Sequence, residues 1–270
     1  MSVSFRKMHG LGNDFVVIDA RTTGLTLTSA QLVAMANRRT GVGCDQFALL
    51  RPSHKADVFA DMYNADGSTL RACGNATRCI AALMMQETGK RDVTIETVAG
   101  ILACSSDDGK LITVDMGTPN LEWQQIPLAE AVDTLHVPLT LGPLADGCAM
   151  NVGNPHVVFF VPDVTAIALA DLGPQVEHHK LFPDRVNVEV VQVLSPTQLR
   201  MRVWERGTGI TMACGTGACA TLVAAVRRGL AARKAEVVLD GGSLSIEWRE
   251  DNRILMTGAW AQSFTGEWAA

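Results

Sequence analysis

The sequence predicts a mixed α/β (α+β) chain of two pseudo-symmetric domains, each a sheet wrapped around one buried helix. Three observations predict it. Residues 72–74 and 213–215 both read ACG, and each copy runs into an Ala-rich stretch of helical composition. The cysteines at their centres, Cys73 and Cys214, are 141 residues apart, and the same offset carries Gly12-Asn13 onto Gly153-Asn154, Gln46 onto Asn187, Asn64 onto Glu205 and Gly117 onto Gly258. A period that long means duplicated domains rather than a solenoid. Third, strand-like segments flank a first helix that is apolar on nearly every side, and such a helix has to be surrounded.

Taken in order, the run Phe15-Val-Val-Ile18 reads as a strand entered by a tight turn at Gly10, Gly12 and Asn13. Thr28 is a suitable N-cap for a short helix ending near Gly41. Residues 41–51 and 58–67 are strand-like, with Asp66-Gly67 a hairpin signal. The first ACG helix spans about 75–88 and carries six consecutive apolar residues from Ile80 to Met85. Beyond it lie β-branched strands around 93–104 and 111–117, separated by the turn Asp107-Asp108-Gly109. Residues 118–146 read as a connector with a helical piece near 128–135. The second half repeats the plan: strands around 156–161, 186–194 and 198–205, helices near 172–179 and 216–228, and Gly229 as C-cap. The expected domains are 1–117 with 259–270, carrying Cys73, and 118–258, carrying Cys214.

Bulk properties narrow the class of function. The 270 residues are 47% hydrophobic and 19% charged, which excludes disorder. A net charge of −5 and a pI near 5.7 argue against nucleic acid and against a basic membrane-binding face, leaving a small molecule as partner. The N-terminus has no apolar signal segment and no run reaches membrane-spanning length, so the expected location is the cytoplasm. Seven cysteines, an odd number without a CxxC pair, fit core thiols plus a reactive few.

A thiol at a helix N-terminus meets unsatisfied N–H groups and the positive end of the macrodipole, which together can bring it from about 8.5 to near 7. That is where a general acid or base works well. Two such thiols facing one ligand could take a proton from one face of a carbon and return one to the other, inverting a stereocentre. No Walker loop, GxGxxG after a strand or HExxH is present; a pyridoxal lysine has no such motif to rule it out, but none of the six lysines lies in the repeated register, so no cofactor and no metal are expected. Preorganised electrostatics would then have to carry the chemistry.

The motifs MHGLGNDF, YNADGS with ACGNATRC, GNPH, FPDRVNVE and WERGTGITMACGTGACA, in this order over residues 7–266, resemble those of the diaminopimelate epimerases. The resemblance implies two domains, each a mostly antiparallel β-barrel around a central helix, a cofactor-independent interconversion of LL- and meso-diaminopimelate in lysine and peptidoglycan precursor biosynthesis, and a homodimer. It makes Cys73 the proton acceptor and Cys214 the donor in the LL to meso direction. Asn13, Gln46, Asn64, Asn154, Asn187, Glu205 and Arg206 match the substrate contacts, with the helix-start pairs Gly74-Asn75 and Gly215-Thr216. His156 and Glu205 match a pair that tunes the thiols. Thr77, Ile210 and Trp260 depart from the common pattern.

Two other classes compete. A two-thiol racemase of another amino acid, such as proline or histidine, is told apart by the distal pocket, where Asn64, Asn187 and Arg206 fit a second ammonium and carboxylate that proline lacks. A redox protein using Cys73 and Cys214 as a dithiol is disfavoured by their separation in the chain.

Overall fold

The computed structural model describes residues 2–269. The chain divides into two compact units, one formed by the residues up to Val114 together with those from Gly258 onward, the other by Asp115–Thr257. The class is mixed α+β, mostly strands with four α-helices among the described residues, as the sequence predicts.

The first unit opens with β1 (Ser2–Gly10) and β2 (Asn13–Asp19), an antiparallel pair joined by a turn in which Leu11 and Gly12 have φ of 56° and 85°. Helix α1 (Ser29–Ala36) follows, capped by Thr28 through a reciprocal bond with Gln31, so the polar N-terminal groups of a short helix are satisfied locally. Next come β3 (Gln46–Arg51), β4 (Val58–Asn64), β5 (Thr69–Leu70), α2 (Gly74–Thr88), β6 (Asp92–Thr97), β7 (Gly100–Ser105) and β8 (Leu111–Asp115). Strand β18 (Ala261–Ala269) pairs antiparallel with β1 along its length. Helix α2 is buried from Asn75 through Met85 and packs on β1, β2, β6 and β7. Its three alanines, Ala76, Ala81 and Ala82, leave little side chain on several faces, which is what lets strands approach from more than one side. Gly89, at φ 70°, ends it in the left-handed conformation that favours glycine.

In the second unit β9 (Val137–Leu141), β10 (Leu144–Asn151), β11 (Pro155–Phe160), α3 (Leu169–Glu177), β12 (Asn187–Ser195), β13 (Gln198–Glu205), β14 (Gly209–Ile210), α4 (Gly215–Arg227), β15 (Lys234–Leu239), β16 (Gly242–Trp248) and β17 (Ile254–Ala259) follow in order. Helix α4 is buried over most of its length and packs on β10, β11, β12, β13, β15 and β16. Most pairings are antiparallel; β2 with β3 and β4 with β6 in the first unit, and β11 with β12 and β13 with β15 in the second, are parallel.

The register of the two units follows the 141 offset. Phe15 pairs with Gln46 and Gln46 with Asn64, as His156 pairs with Asn187. Tyr63 pairs with Thr69 as Trp204 pairs with Ile210. The sequence reading fails between the halves. Residues 128–135 form no helix, because Ala129 N–H donates to the Leu181 carbonyl and Asp133 turns the chain by accepting from Leu135 N–H. The end of the supposed connector is the β9–β10 hairpin, and the run around 93–104 is two strands that reverse at Val98-Ala99 rather than one.

Candidate functional site

Each unit brings its candidate residues to the N-terminus of its buried helix. In the first, Cys73 is the N-cap of α2, with extended φ/ψ of −144° and 114°. Its sulfur lies 3.4 Å from Gln46 Oε1 and 3.8 Å from Asn13 Oδ1. Gln46 arrives at the first position of β3 and Asn13 at the first position of β2, directly after the Gly12 turn. Asn75 Nδ2 donates to Asn13 Oδ1 at 3.1 Å. Asn64, at the end of β4, donates to Ser68 Oγ at 3.0 Å across the hairpin that Asp66-Gly67 closes. Gly74 and Asn75 are the first helical residues, whose N–H groups precede any intrahelical acceptor. Thr77 is fully buried, and its hydroxyl donates to the Cys73 carbonyl at 2.8 Å, so the larger residue at this position is satisfied locally.

In the second unit Cys214 caps α4. Here the sulfur itself is the cap: it accepts from Gly217 N–H at 3.3 Å and lies 3.5 Å from Thr216 Oγ1. Glu205 accepts a very short hydrogen bond from the Thr211 hydroxyl. His156 is fully buried, with Nδ1 2.7 Å from Glu189 Oε1 and Nε2 2.8 Å from Asn154 Oδ1. Asn187, also buried, is taken up by backbone: its Nδ2 donates to the Pro155 carbonyl at 2.9 Å and its Oδ1 accepts from Arg206 N–H at 2.9 Å. Arg206 is exposed, donates to the Asp184 carbonyl at 2.9 Å and makes no ion pair with Glu205 among the described residues.

The electrostatics differ from the sequence argument at Cys214. Burial pushes its thiol well above the ordinary range, and the carboxylates of Glu205 and Glu189 push the same way. The Thr216 hydroxyl and the Gly217 N–H oppose them without winning. The helix terminus is therefore outweighed by desolvation and negative charge, and Cys214 is a proton-holding group. Burial likewise raises the Glu205 carboxyl, against the Thr211 and Cys214 hydrogen bonds. Cys44 and Cys79 are pushed up to about 12 by burial, and Cys148 is raised by the same cause. Cys104 and Cys219 are buried too, whereas Cys73 is half-buried.

Sequence reasoning missed three residues. Glu189 lies with Oε1 2.7 Å from His156 Nδ1, and it is fully buried. Its only signal was membership of the FPDRVNVE motif. Asp45 accepts from Asn13 Nδ2 at 3.0 Å and is bound by Arg38 Nη2 at 2.7 Å. Glu177 accepts from Trp204 Nε1 at 2.6 Å and from Gly207 N–H at 2.9 Å, fixing the turn that carries Arg206. None of the three has a like residue at the 141 offset, so the duplication could not expose them.

Chemically, each unit offers a thiol at helix-terminal N–H groups, with Asn13 beside it in the first, an arrangement suited to a carboxylate ligand and proton transfer at an adjacent carbon. Comparison with known proteins gives the family. The family model described as diaminopimelate epimerase matches residues 5–122 and 148–261. A diaminopimelate epimerase from Rhodospirillum centenum is 58% identical over 265 residues, covering 97% of this chain and 91% of the relative. One from Phenylobacterium zucineum is 51% identical over 272 residues, covering 99% and 98%. Among solved structures, a PhzF-family phenazine biosynthesis protein of Bacillus anthracis shares the fold at a TM-score of 0.73 and 18% identity, covering both chains fully. A hydroxyproline epimerase of Agrobacterium vitis shares it at 0.70 and 14%, covering 98% of this chain and 92% of the other. With sequence identity of this extent over nearly the whole length, the chain belongs to the diaminopimelate epimerase family.

Proposed function

We propose that this chain interconverts LL- and meso-diaminopimelate by a two-thiol proton transfer, with Cys73 as base and Cys214 as acid in the LL to meso direction. It is an isomerase of the epimerase class. What supports the two-thiol reading is one observation: a cysteine caps each of two corresponding buried helices, in a chain of this family. In the forward step the Cys73 thiolate takes the α-proton, the electron pair stays on the α-carbon as a carbanion, and the Cys214 thiol delivers its proton to the opposite face. The products are a Cys73 thiol and a Cys214 thiolate, so charge balances. A thiol whose proton is held by burial and two carboxylates suits the donor's part.

The N–H groups of Gly74-Asn75 and Gly215-Thr216 bind carboxylate in this reading, while Asn64 and Arg206 read the distal end of the substrate; Gln46 and Asn13 orient Cys73, and Asn187 and Glu205 shape the second half. His156 and Glu205 tune Cys214. The enzyme works without a cofactor, in the cytoplasm, as a homodimer; no helix among the described residues is long and apolar enough to cross a membrane.

The test is incubation of purified protein with LL-diaminopimelate in D2O, following meso isomer and α-deuterium together, with Cys73→Ala and Cys214→Ala in parallel. Meso product carrying solvent deuterium, lost in both variants, is the expected result. Full turnover in either variant would remove the two-thiol mechanism, and absence of both turnover and exchange in the wild type would remove the substrate.

A further inference from the structure

The two duplicated asparagines are held by opposite ends. Asn13 gives its amide nitrogen to Asp45 Oδ2 at 3.0 Å, and its oxygen, accepting from Asn75 Nδ2 at 3.1 Å, faces the Cys73 sulfur. Asn154 gives its oxygen to His156 Nε2 at 2.8 Å, and its amide nitrogen has no hydrogen-bond partner among the described residues.

The groups that hold them are not shared between the halves. At the 141 offset Asp45 becomes Val186, His156 is Phe15 and Glu189 is Ala48. Packing has followed the chemistry. The counterpart of Ala76 is Gly217, and a Cβ added there would meet Glu189 Oε1 at 2.8 Å, so the half with the buried carboxylate dispenses with a methyl group. The strand register is the same in both halves, so these are substitutions at matched positions rather than displaced residues.

We infer that Asp45 in the first half, and His156 with Glu189 in the second, are positioning residues that lock the two asparagines in opposite senses, Asn13 presenting a carbonyl oxygen and Asn154 an amide N–H. A carboxylate such as Asp45 can only accept, so Asn13 must offer it the NH2 end. Arg38 Nη2, 2.7 Å from Asp45 Oδ1, and Asp14 N–H, 3.1 Å from Oδ2, keep that carboxylate from turning. On the other side His156 and Glu189 are both fully buried, and Nδ1 is engaged by Glu189 Oε1 at 2.7 Å, which fixes the ring with Nε2 toward Asn154. The Asn154 atom 2.8 Å from Nε2 is its oxygen, which can only accept, so the contact is a hydrogen bond when Nε2 bears the hydrogen and donates. An oxygen acceptor suits an ammonium or a thiol; an N–H donor suits a carboxylate. An α-amino acid carries one of each, so opposite locking lets a duplicated scaffold read a ligand whose ends are unlike. The substrate part of this inference rests on the epimerase reading; the locking does not.

Nitrogen-15 NMR on the wild-type protein tests the locking directly. Expected are a one-bond proton correlation at His156 Nε2, and an Asn13 side-chain NH2 that exchanges with solvent more slowly than that of Asn154. A bare Nε2 together with a protected Asn154 NH2 would overturn it. Kinetics give the second arm. Asp45→Val, which copies the other half, should raise KM for LL-diaminopimelate about tenfold with a smaller change in kcat, the loss of one charge-assisted hydrogen bond. Asp45→Asn, whose carbonyl still accepts, should restore most of it. Unchanged KM in Asp45→Val, or equal loss in both variants, would defeat the positioning role. Absence of turnover by the wild type would sink the epimerase reading while leaving the NMR result standing.

Discussion

At the Cys214 sulfur two effects of opposite sign meet, and their balance predicts a pH profile. Burial and two carboxylates raise the thiol, while a hydroxyl and a helix N–H lower it, and the first set wins. A raised thiol keeps its proton as pH climbs past the ordinary range near 8.5, so activity that needs Cys214 as acid persists to higher pH. Glu205→Gln removes one negative charge, which lowers the thiol and should move the alkaline limb of the LL to meso rate to lower pH; an unmoved limb would show that Glu205 does not act on this sulfur. Gly217 makes a steric prediction. A methyl there would sit 2.8 Å from Glu189 Oε1 and 3.2 Å from Cys214 Sγ, so Gly217→Ala should cost about 1–3 kcal/mol in denaturant unfolding and most of the turnover. Asp14 makes a linkage prediction. Burial pushes its carboxyl up, but hydrogen bonds from Arg38 and Lys7 pull harder and hold it well below the usual carboxylate range. A group lowered on folding contributes stability above its unfolded value, near 4, and loses it as pH falls toward the folded value. Stability should therefore fall below about pH 4 with a slope that Asp14→Asn makes shallower, measured by urea midpoints at successive pH.

Among the elements, the helices were legible in the sequence because their signals are local. Thr28 caps α1 with Gln31 in reply, and Thr28→Ala should cost about 1 kcal/mol. Gly89 ends α2 at φ 70° with open space around it, so Gly89→Ala should cost a similar amount through backbone strain alone, read as a shift in Tm without loss of turnover. The buried helices α2 and α4 were legible for a second reason, since each was read twice. What was not legible depends on distant partners. Residues 128–135 have helical composition, yet a backbone bond from Ala129 to Leu181 decides their course. Strands β9 and β10 carry Pro138 and Gly147, poor strand residues that tertiary pairing overrides. The candidate site shows the same division. Comparing halves finds residues that stay alike, such as Asn13 and Asn154, and passes over Asp45 and Glu189, whose counterparts Val186 and Ala48 share no chemistry with them.

On the scale of the whole molecule, one unit depends on the far end of the chain. Strand β18 runs along β1, Trp268 packs on the core formed by Val3, Val16 and Ile18, and Phe264 meets Phe5 edge to face at 6.0 Å. Ending the chain after Ala259 should destabilise the first unit by at least about 3 kcal/mol, on the scale of losing a large aromatic from a core. Calorimetry would show the first unit melting early, and an unchanged trace would mean that β18 is dispensable. The distribution of thiols across the fold has a different consequence, for labelling. Six of the seven cysteines are buried, and a thiol pushed to about 12, as at Cys44 and Cys79, is ionised in only about one molecule in ten thousand at pH 8. A mild electrophile added to the folded protein should mark Cys73 first, and the mass of a single adduct would then count competent enzyme in a preparation without any substrate being turned over.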